Sequence, residues 1–193
     1  MSELATFVTL GFRHIVDIAA LDHILFLLAL AAIYRPRDWR AALWVVSAFT
    51  VGHSVTLALA VTGAVVLPTP VIEFLIPLTI VATCIENLAV REGGRYRPVF
   101  AAVFGLVHGA GFANYLRSLF VDQVALPLFG FNVGIELGQV LVLALAAVAL
   151  AGLDRLLGLL PRPGMGMLRL RVVAVSAVVA LIAARWAVER NPF

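Results

Sequence analysis

Lysine is absent from the 193 residues, and cysteine occurs once, as Cys84. A single cysteine excludes an internal disulfide and any Cys-cluster metal or iron–sulfur site. Charge is scarce too: 13% of residues are charged, where a soluble domain carries about 25%. All 14 basic residues are arginine, and they lie scattered between apolar stretches, which leaves no nucleic-acid footprint. No Walker motif, G-x-x-x-x-G-K-[ST], occurs, so no nucleotide-driven step is written into the chain. What fills the sequence is apolar side chain: 63%, against about 45–50% in soluble domains. That excess excludes a soluble domain, a disordered chain, collagen and a disulfide-rich secreted module. A polytopic membrane protein remains.

A spanning helix needs about 20 mostly apolar residues. Charge-free stretches predict six, at 18–34, 41–63, 71–90, 98–119, 127–152 and 168–188. The fold class expected is therefore an all-α transmembrane bundle forming one domain over residues 1–193. The first dozen residues are too short for a signal peptide with its cleavage site, and Met1 to Val16 reads as an interfacial segment. Asp17 then stands where it can cap the first spanning helix. Pro68, Pro70, Pro98 and Pro127 fall at the starts of spans, where a missing N–H costs nothing.

The arginines predict an orientation. Ten of them fall in the loops 34–41, 91–98 and 153–171, on one face; Arg13, Arg117, Arg185 and Arg190 are left for the other. The arginine-rich loops are expected in the cytoplasm of a bacterium, with the protein in the inner membrane and both termini outside.

Ionisable side chains inside hydrocarbon are costly, roughly 2.5–3.5 kcal/mol each on insertion scales. Counting depth at about 1.5 Å per residue brings His23, His53, His108 and Glu136 to a common level near the midplane, one from each of four spans. Asp22 adjoins His23, and Ser54 adjoins His53. Asn132, Glu136 and Gln139 form one stripe at i, i+4, i+7. Asn114 lies two turns beyond His108. Polar side chains do hold membrane helices together, and Thr79, Thr83 and Gln139 read that way. Three histidines and a carboxylate at one depth read instead as a metal site. Imidazole suits Ni, Co and Zn, and Asp22 and Glu136 would add hard oxygen. Asn132, Ser54, Gln139 and Asn114 would orient the ligands. His14 and Asp17 form an i, i+3 pair expected at the outer mouth. On a straight helix His14 and His23 point about 180° apart, so His14 reaches the midplane site only if the chain breaks near Asp17.

Small residues surround these positions. Gly105 and Gly109 flank His108 as G-x-x-x-G, and Gly130, Gly134 and Gly138 repeat the spacing around Glu136, which predicts close helix approach. Glu86, near the inner end of the third span, is expected to pair with Arg91.

Three blocks resemble the HupE/UreJ family of bacterial membrane proteins, most closely its second branch. They are Gly11-Phe-Arg-His14 through Leu21-Asp-His-Ile-Leu-Phe-Leu-Leu28; Phe49-Thr-Val-Gly-His-Ser-Val-Thr-Leu57; and Phe104-Gly-Leu-Val-His-Gly-Ala-Gly-Phe112 with Phe131-Asn-Val-Gly-Ile-Glu-Leu-Gly-Gln139. The resemblance covers nearly the whole chain and implies nickel uptake serving hydrogenase and urease. The family's first-helix motif, H-x5-D-H, maps onto His14, Asp22 and His23, with seven residues intervening here. The other branch carries a second histidine and a glutamate after the H-G element. Here Phe112 and Asn114 stand in that region, and only His108 is kept.

Three functions follow as expectations. The first is a permease or binding protein for a divalent transition metal, nickel or cobalt favoured. The second is an intramembrane zinc hydrolase, with Glu136 or Asp22 as general base and Ser54 binding an oxyanion. It lacks an H-E-x-x-H pair. The third is a metal-binding accessory subunit of a larger membrane complex. Partners expected are the metal ion and the lipid bilayer; self-association or a larger complex stays open.

Overall fold

The computed structural model describes residues 2–19, 21–65, 68–90, 94–119, 125–159 and 164–193, and the backbone alone for 113–119. Among them every regular element is helical. α1 spans Glu3–Val16, α2 Leu21–Ala31, α3 Trp39–Val61, α4 Thr69–Ala89, α5 Arg97–Leu119, α6 Ala125–Leu157 and α7 Met167–Glu189. A 3-10 turn, Pro36–Asp38, leads into α3.

α3, α4, α6 and α7 are each long and apolar enough to cross a membrane. α1 and α2 meet that requirement only together, as a pair bent by 69°. α2 alone, at 11 residues, is about 16 Å long, half of the roughly 30 Å hydrocarbon core. α5, at 23 residues, supplies the length for a sixth crossing. This chain is an integral membrane protein with an all-helical bundle.

The bent pair revises the expected first span and the expected interfacial segment. Residues 18–34 are not one continuous helix, and α1 does not stand apart from the bundle. It runs parallel to α6 in close contact: a Cβ on Gly134 would lie 2.7 Å from the Phe12 nitrogen, and one on Gly138 2.9 Å from Ile15 Cβ. Ile15 is completely buried as a result. Asp17 is not the N-cap of a spanning helix. It closes α1 at the C-cap, and its Oδ1 accepts a hydrogen bond from the Ala19 N–H at 2.8 Å. A short acceptor that holds a local turn competes with helix continuation, and the chain breaks there.

α3 and α5 make the second close pair, also parallel. A Cβ on Gly105 would sit 2.9 Å from the His53 nitrogen, and one on Gly109 3.0 Å from the His53 Cα. Both glycine series anticipated in the sequence thus work inside the molecule, where they bring backbones together.

The ends of the helices at the arginine-rich face are tied by buried polar groups. Arg97 donates to Glu86 at 3.1 Å, to Asn87 Oδ1 at 2.8 Å and to the Leu30 carbonyl at 3.4 Å. Asn87 donates to the Ala29 carbonyl at 2.8 Å and to Ser176 at 3.2 Å. Arg171 donates to the Ala32 and Tyr34 carbonyls and to Asp154 at 2.7 Å. The last four carbonyls of a helix have no partner within it: in α2, Ala29 and Leu30 accept from Asn87 of α4 and Arg97 of α5, Leu28 and Ala31 from the Ala32 and Tyr34 N–H groups, and Arg171 of α7 holds the chain just beyond. Glu86 was expected to pair with Arg91, which lies outside the described residues; its partner is Arg97, on the next helix.

Candidate metal centre

The break after Val16 has a direct consequence. α1 ends near mid-bundle and α2 starts there in a new direction, so His14 and His23 turn toward each other. Their ring centroids lie 4.5 Å apart. His53 comes in from α3, 5.8 Å from His14 and 6.2 Å from His23. His108 comes in from α5, 5.3 Å from His23. The parallel α3–α5 packing over Gly105 and Gly109 sets the last two at matching depth.

His14, His23 and His53 each offer one nitrogen within 4.8 Å of the others. Nitrogens that share one ion at about 2.0–2.1 Å can be no more than about 4.2 Å apart, so closure on a metal needs only a small movement. The imidazoles are short of other partners. His14 Nε2, both nitrogens of His23, both of His53 and His108 Nδ1 are buried with no hydrogen-bond partner among the described residues. Buried polar atoms are nearly always satisfied, so a cluster of six orphan nitrogens fits a ligand, and imidazole fits a transition metal.

His108 is held by a residue expected only to glue helices. Thr79 on α4 donates its hydroxyl proton to the Ile76 carbonyl at 2.7 Å, and its oxygen lies 2.9 Å from His108 Nε2. With that one proton committed, Thr79 accepts from Nε2–H. The tautomer is thereby set, and Nδ1 keeps the free lone pair. Thr83 keeps the role expected of it, donating to the Thr79 carbonyl at 2.9 Å. Nothing in the spacing of Thr79 marked it out; its partner is 29 residues away.

Phenylalanines enclose the rings. Phe112 lies 4.1 Å from His14 between centroids and stacks on Phe131 at 5.3 Å. Phe26 and Phe49 each lie 5.1 Å from His108 and 4.9 Å from each other. On the side of Phe112 an open cleft of about 410 Å³, lined by Leu10, Arg13, His14, Val16, Asp17 and Phe112, reaches the His14 imidazole. His14 and Asp17, expected at an outer mouth, both line it; His14 also belongs to the ring cluster, as a break near Asp17 requires.

The remaining candidates lie elsewhere. Glu136 accepts from Ser47 at 3.2 Å and lines a separate cleft with Thr50 and Asn132. Asp22 is engaged by Arg190 at 3.0 Å. Neither carboxylate joins the three-histidine group. Asp22 and His23 are adjacent on a helix and project about 100° apart, so when His23 turns inward Asp22 faces α7. Glu136 is on the α6 face that meets α3 at Ser47. Gln139 accepts from Thr50 at 2.8 Å, and Ser54 donates to the Thr50 carbonyl at 2.6 Å. Asn132 Oδ1 is buried and unpartnered, beside Glu136 and not at a histidine. The Asn114 side chain lies outside the described residues.

Fold and site together define a helical membrane protein with a buried histidine cluster at a broken first crossing. The family model for HupE / UreJ proteins matches residues 1–190, and the chain belongs to that family. No curated protein and no solved structure matches it.

Proposed function

We propose that the chain is a permease for a divalent transition metal, with nickel or cobalt as the favoured cargo, and that His14, His23, His53 and His108 are its ligands. The observation that carries this reading is the convergence of four imidazoles with orphan nitrogens at the break between α1 and α2. Discontinuous helices with the site at the break are a recurrent arrangement in transporters. The family's association with nickel uptake agrees with it.

In this reading the ion arrives from outside through the cleft at His14 and Asp17, exchanges water for imidazole, and leaves toward the arginine-rich, cytoplasmic face. Neutral imidazole is the binding form, so loading competes with protons and weakens as pH falls. The driving force would be the ion's own gradient or the membrane potential, worth about 2.3 kcal/mol per charge per 100 mV. The hydrolase reading needs a general base at the cluster; the carboxylates assigned to that role are engaged by Ser47 and Arg190.

Proteoliposomes loaded with a metal-sensitive dye provide the test. External Ni²⁺ or Co²⁺ should quench the dye in wild-type vesicles, and His14→Ala and His23→Ala should abolish the signal. Wild-type protein that retains metal yet moves none would replace the permease with an accessory metal-binding role. Undiminished uptake by both variants would remove the histidines from the pathway.

A further inference from the structure

A second site lies at the arginine-rich end, on the outside of the bundle, and owes nothing to the metal reading. Two recesses adjoin there. One, of about 340 Å³, runs along α6 between α3 and the end of α2; Leu43, Val140, Leu143, Ala144, Ala147 and Leu150 are among its apolar lining. Its volume falls within the roughly 300–1,000 Å³ of ligand sites. The small side chains Ala144 and Ala147 are what hollow it out. The other, of about 590 Å³, is lined by Arg35, Arg37 and Arg171 together with Asp154. Arg35, Pro36, Asp154 and Arg171 line both recesses, so they form one trough, apolar along its length and basic at its mouth.

We propose that this trough holds an anionic phospholipid, with an acyl chain along α6 and the phosphate against Arg35 and Arg37. Three observations select that occupant. The mouth has a surplus of positive charge: Arg35, Arg37 and Arg171 line it against Asp154, with Asp38 beside Arg37. Arg171 is spent on Asp154 and on backbone carbonyls, and Arg37 reaches Asp38 only at 3.7 Å in an exposed setting. Arg35 has no carboxylate within ion-pair distance among the described residues. The mouth is also at headgroup level: it forms at the loop between α2 and α3, where Tyr34 and Trp39 line the trough, as aromatic side chains do at a membrane interface. Finally, the basic mouth continues into the apolar recess without a break. A free phosphate would use the first half alone. A lipid uses both, and arginines at this end meet the leaflet richest in anionic headgroups if the end is cytoplasmic.

Native mass spectrometry of protein purified in detergent with added phosphatidylglycerol or phosphatidylcholine tests the assignment. The wild type should retain phosphatidylglycerol preferentially, one molecule per chain. Arg35→Gln with Arg37→Gln should lower that retention about 10–30-fold, the effect of two arginines at roughly the strength of juxtamembrane bases. Ala147→Phe, which fills the trough and leaves the arginines in place, should lower retention of both lipids. Size-exclusion and circular dichroism on each variant separate lost binding from lost fold, and bound metal should be unchanged in both. Equal retention of the two lipids by the wild type would overturn the proposal. So would full retention by the double variant, displacement of the lipid by inorganic phosphate alone, or a dimer whose formation excludes lipid from Ala147.

Discussion

The α3–α5 contact offers the sharpest perturbation, because one methyl group there acts on the ligand geometry through the His53 backbone while every ligating side chain is left in place. In Gly109→Ala the new Cβ would sit 3.0 Å from the His53 Cα and 3.1 Å from its carbonyl carbon, and would overlap the carbonyl oxygen. Carbon atoms pack at about 3.5–4.0 Å, so α3 and α5 must part by roughly 0.5–1 Å. The atoms met are backbone, which cannot swing aside as a side-chain end can. Overpacking of this kind costs about 1–3 kcal/mol, which leaves a folded protein to assay. The displacement falls on His53 relative to His108, and metal–ligand distances tolerate only about 0.2 Å. Nickel affinity should fall at least as far as when an orienting partner is removed, about 10–100-fold. Gly152→Ala is the control, since a Cβ there meets nothing within 4 Å. Equilibrium dialysis against Ni²⁺ with elemental analysis reads the affinity, and thermal unfolding reads the fold. Gly109→Ala protein that binds nickel like the wild type would refute the claim that this packing positions the ligands. So would an equal loss in Gly152→Ala.

Thr79→Val removes the acceptor for His108 Nε2–H and should weaken metal binding about 10–100-fold. Thr79→Ser should restore most of it, and equal affinities for the two variants would sink the orienting role. Glu136→Gln should leave metal retention at the wild-type level, because its carboxylate faces Ser47; loss of bound metal on elemental analysis would return Glu136 to the ligand set. Arg97→Ala leaves Glu86 and Asn87 without their buried donor and should destabilise the protein by about 3–5 kcal/mol, measured as a lowered unfolding temperature. An unchanged melting curve would show that the Arg97 network is not what anchors α2.

What could be read in the sequence follows the range over which each signal acts. Apolar length and charge scarcity are local properties, and they marked the helices α3 to α7, of which α3, α4, α6 and α7 are long and apolar enough to cross. The glycine spacings were legible for the same reason: i, i+4 periodicity places small residues on one helix face whatever that face meets. Depth counting brought His23, His53 and His108 to one level because each helix has a nearly fixed rise. The same counting carried Glu136 along, and its carboxylate meets Ser47: depth fixes position along the bundle axis, while the direction of a side chain around that axis depends on how neighbouring helices are rotated. Glu136 faces Ser47 and the cleft it lines with Thr50 and Asn132. The contact of Thr79 with His108 and the Arg97–Asn87–Leu30 tie escaped notice for a related reason. Their partners come from other helices, up to 67 residues away, and hydrophobic period carries no information about such pairs.

The first crossing shows how a local breakdown of regularity produces the site. A straight helix from residue 3 to 31 would hold His14 and His23 on opposite sides, and one of them would face lipid. The Asp17 side chain satisfies the Ala19 N–H, which makes the interruption locally inexpensive, and Gly134 and Gly138 let α1 sit against α6 deeply enough to carry His14 inward. The interruption also exposes the C-terminal carbonyls of α1 beside the rings, the end of a helix that favours cations. The opposite, positive end of α2 faces the same region, and Asp22 in its first turn offsets it. Asp22 therefore contributes charge next to the cluster while its own oxygen is engaged by Arg190. The break and the glycines together gather the four imidazoles, and the cation proposed to rest among them would find the α1 carbonyls and the Asp22 charge close by.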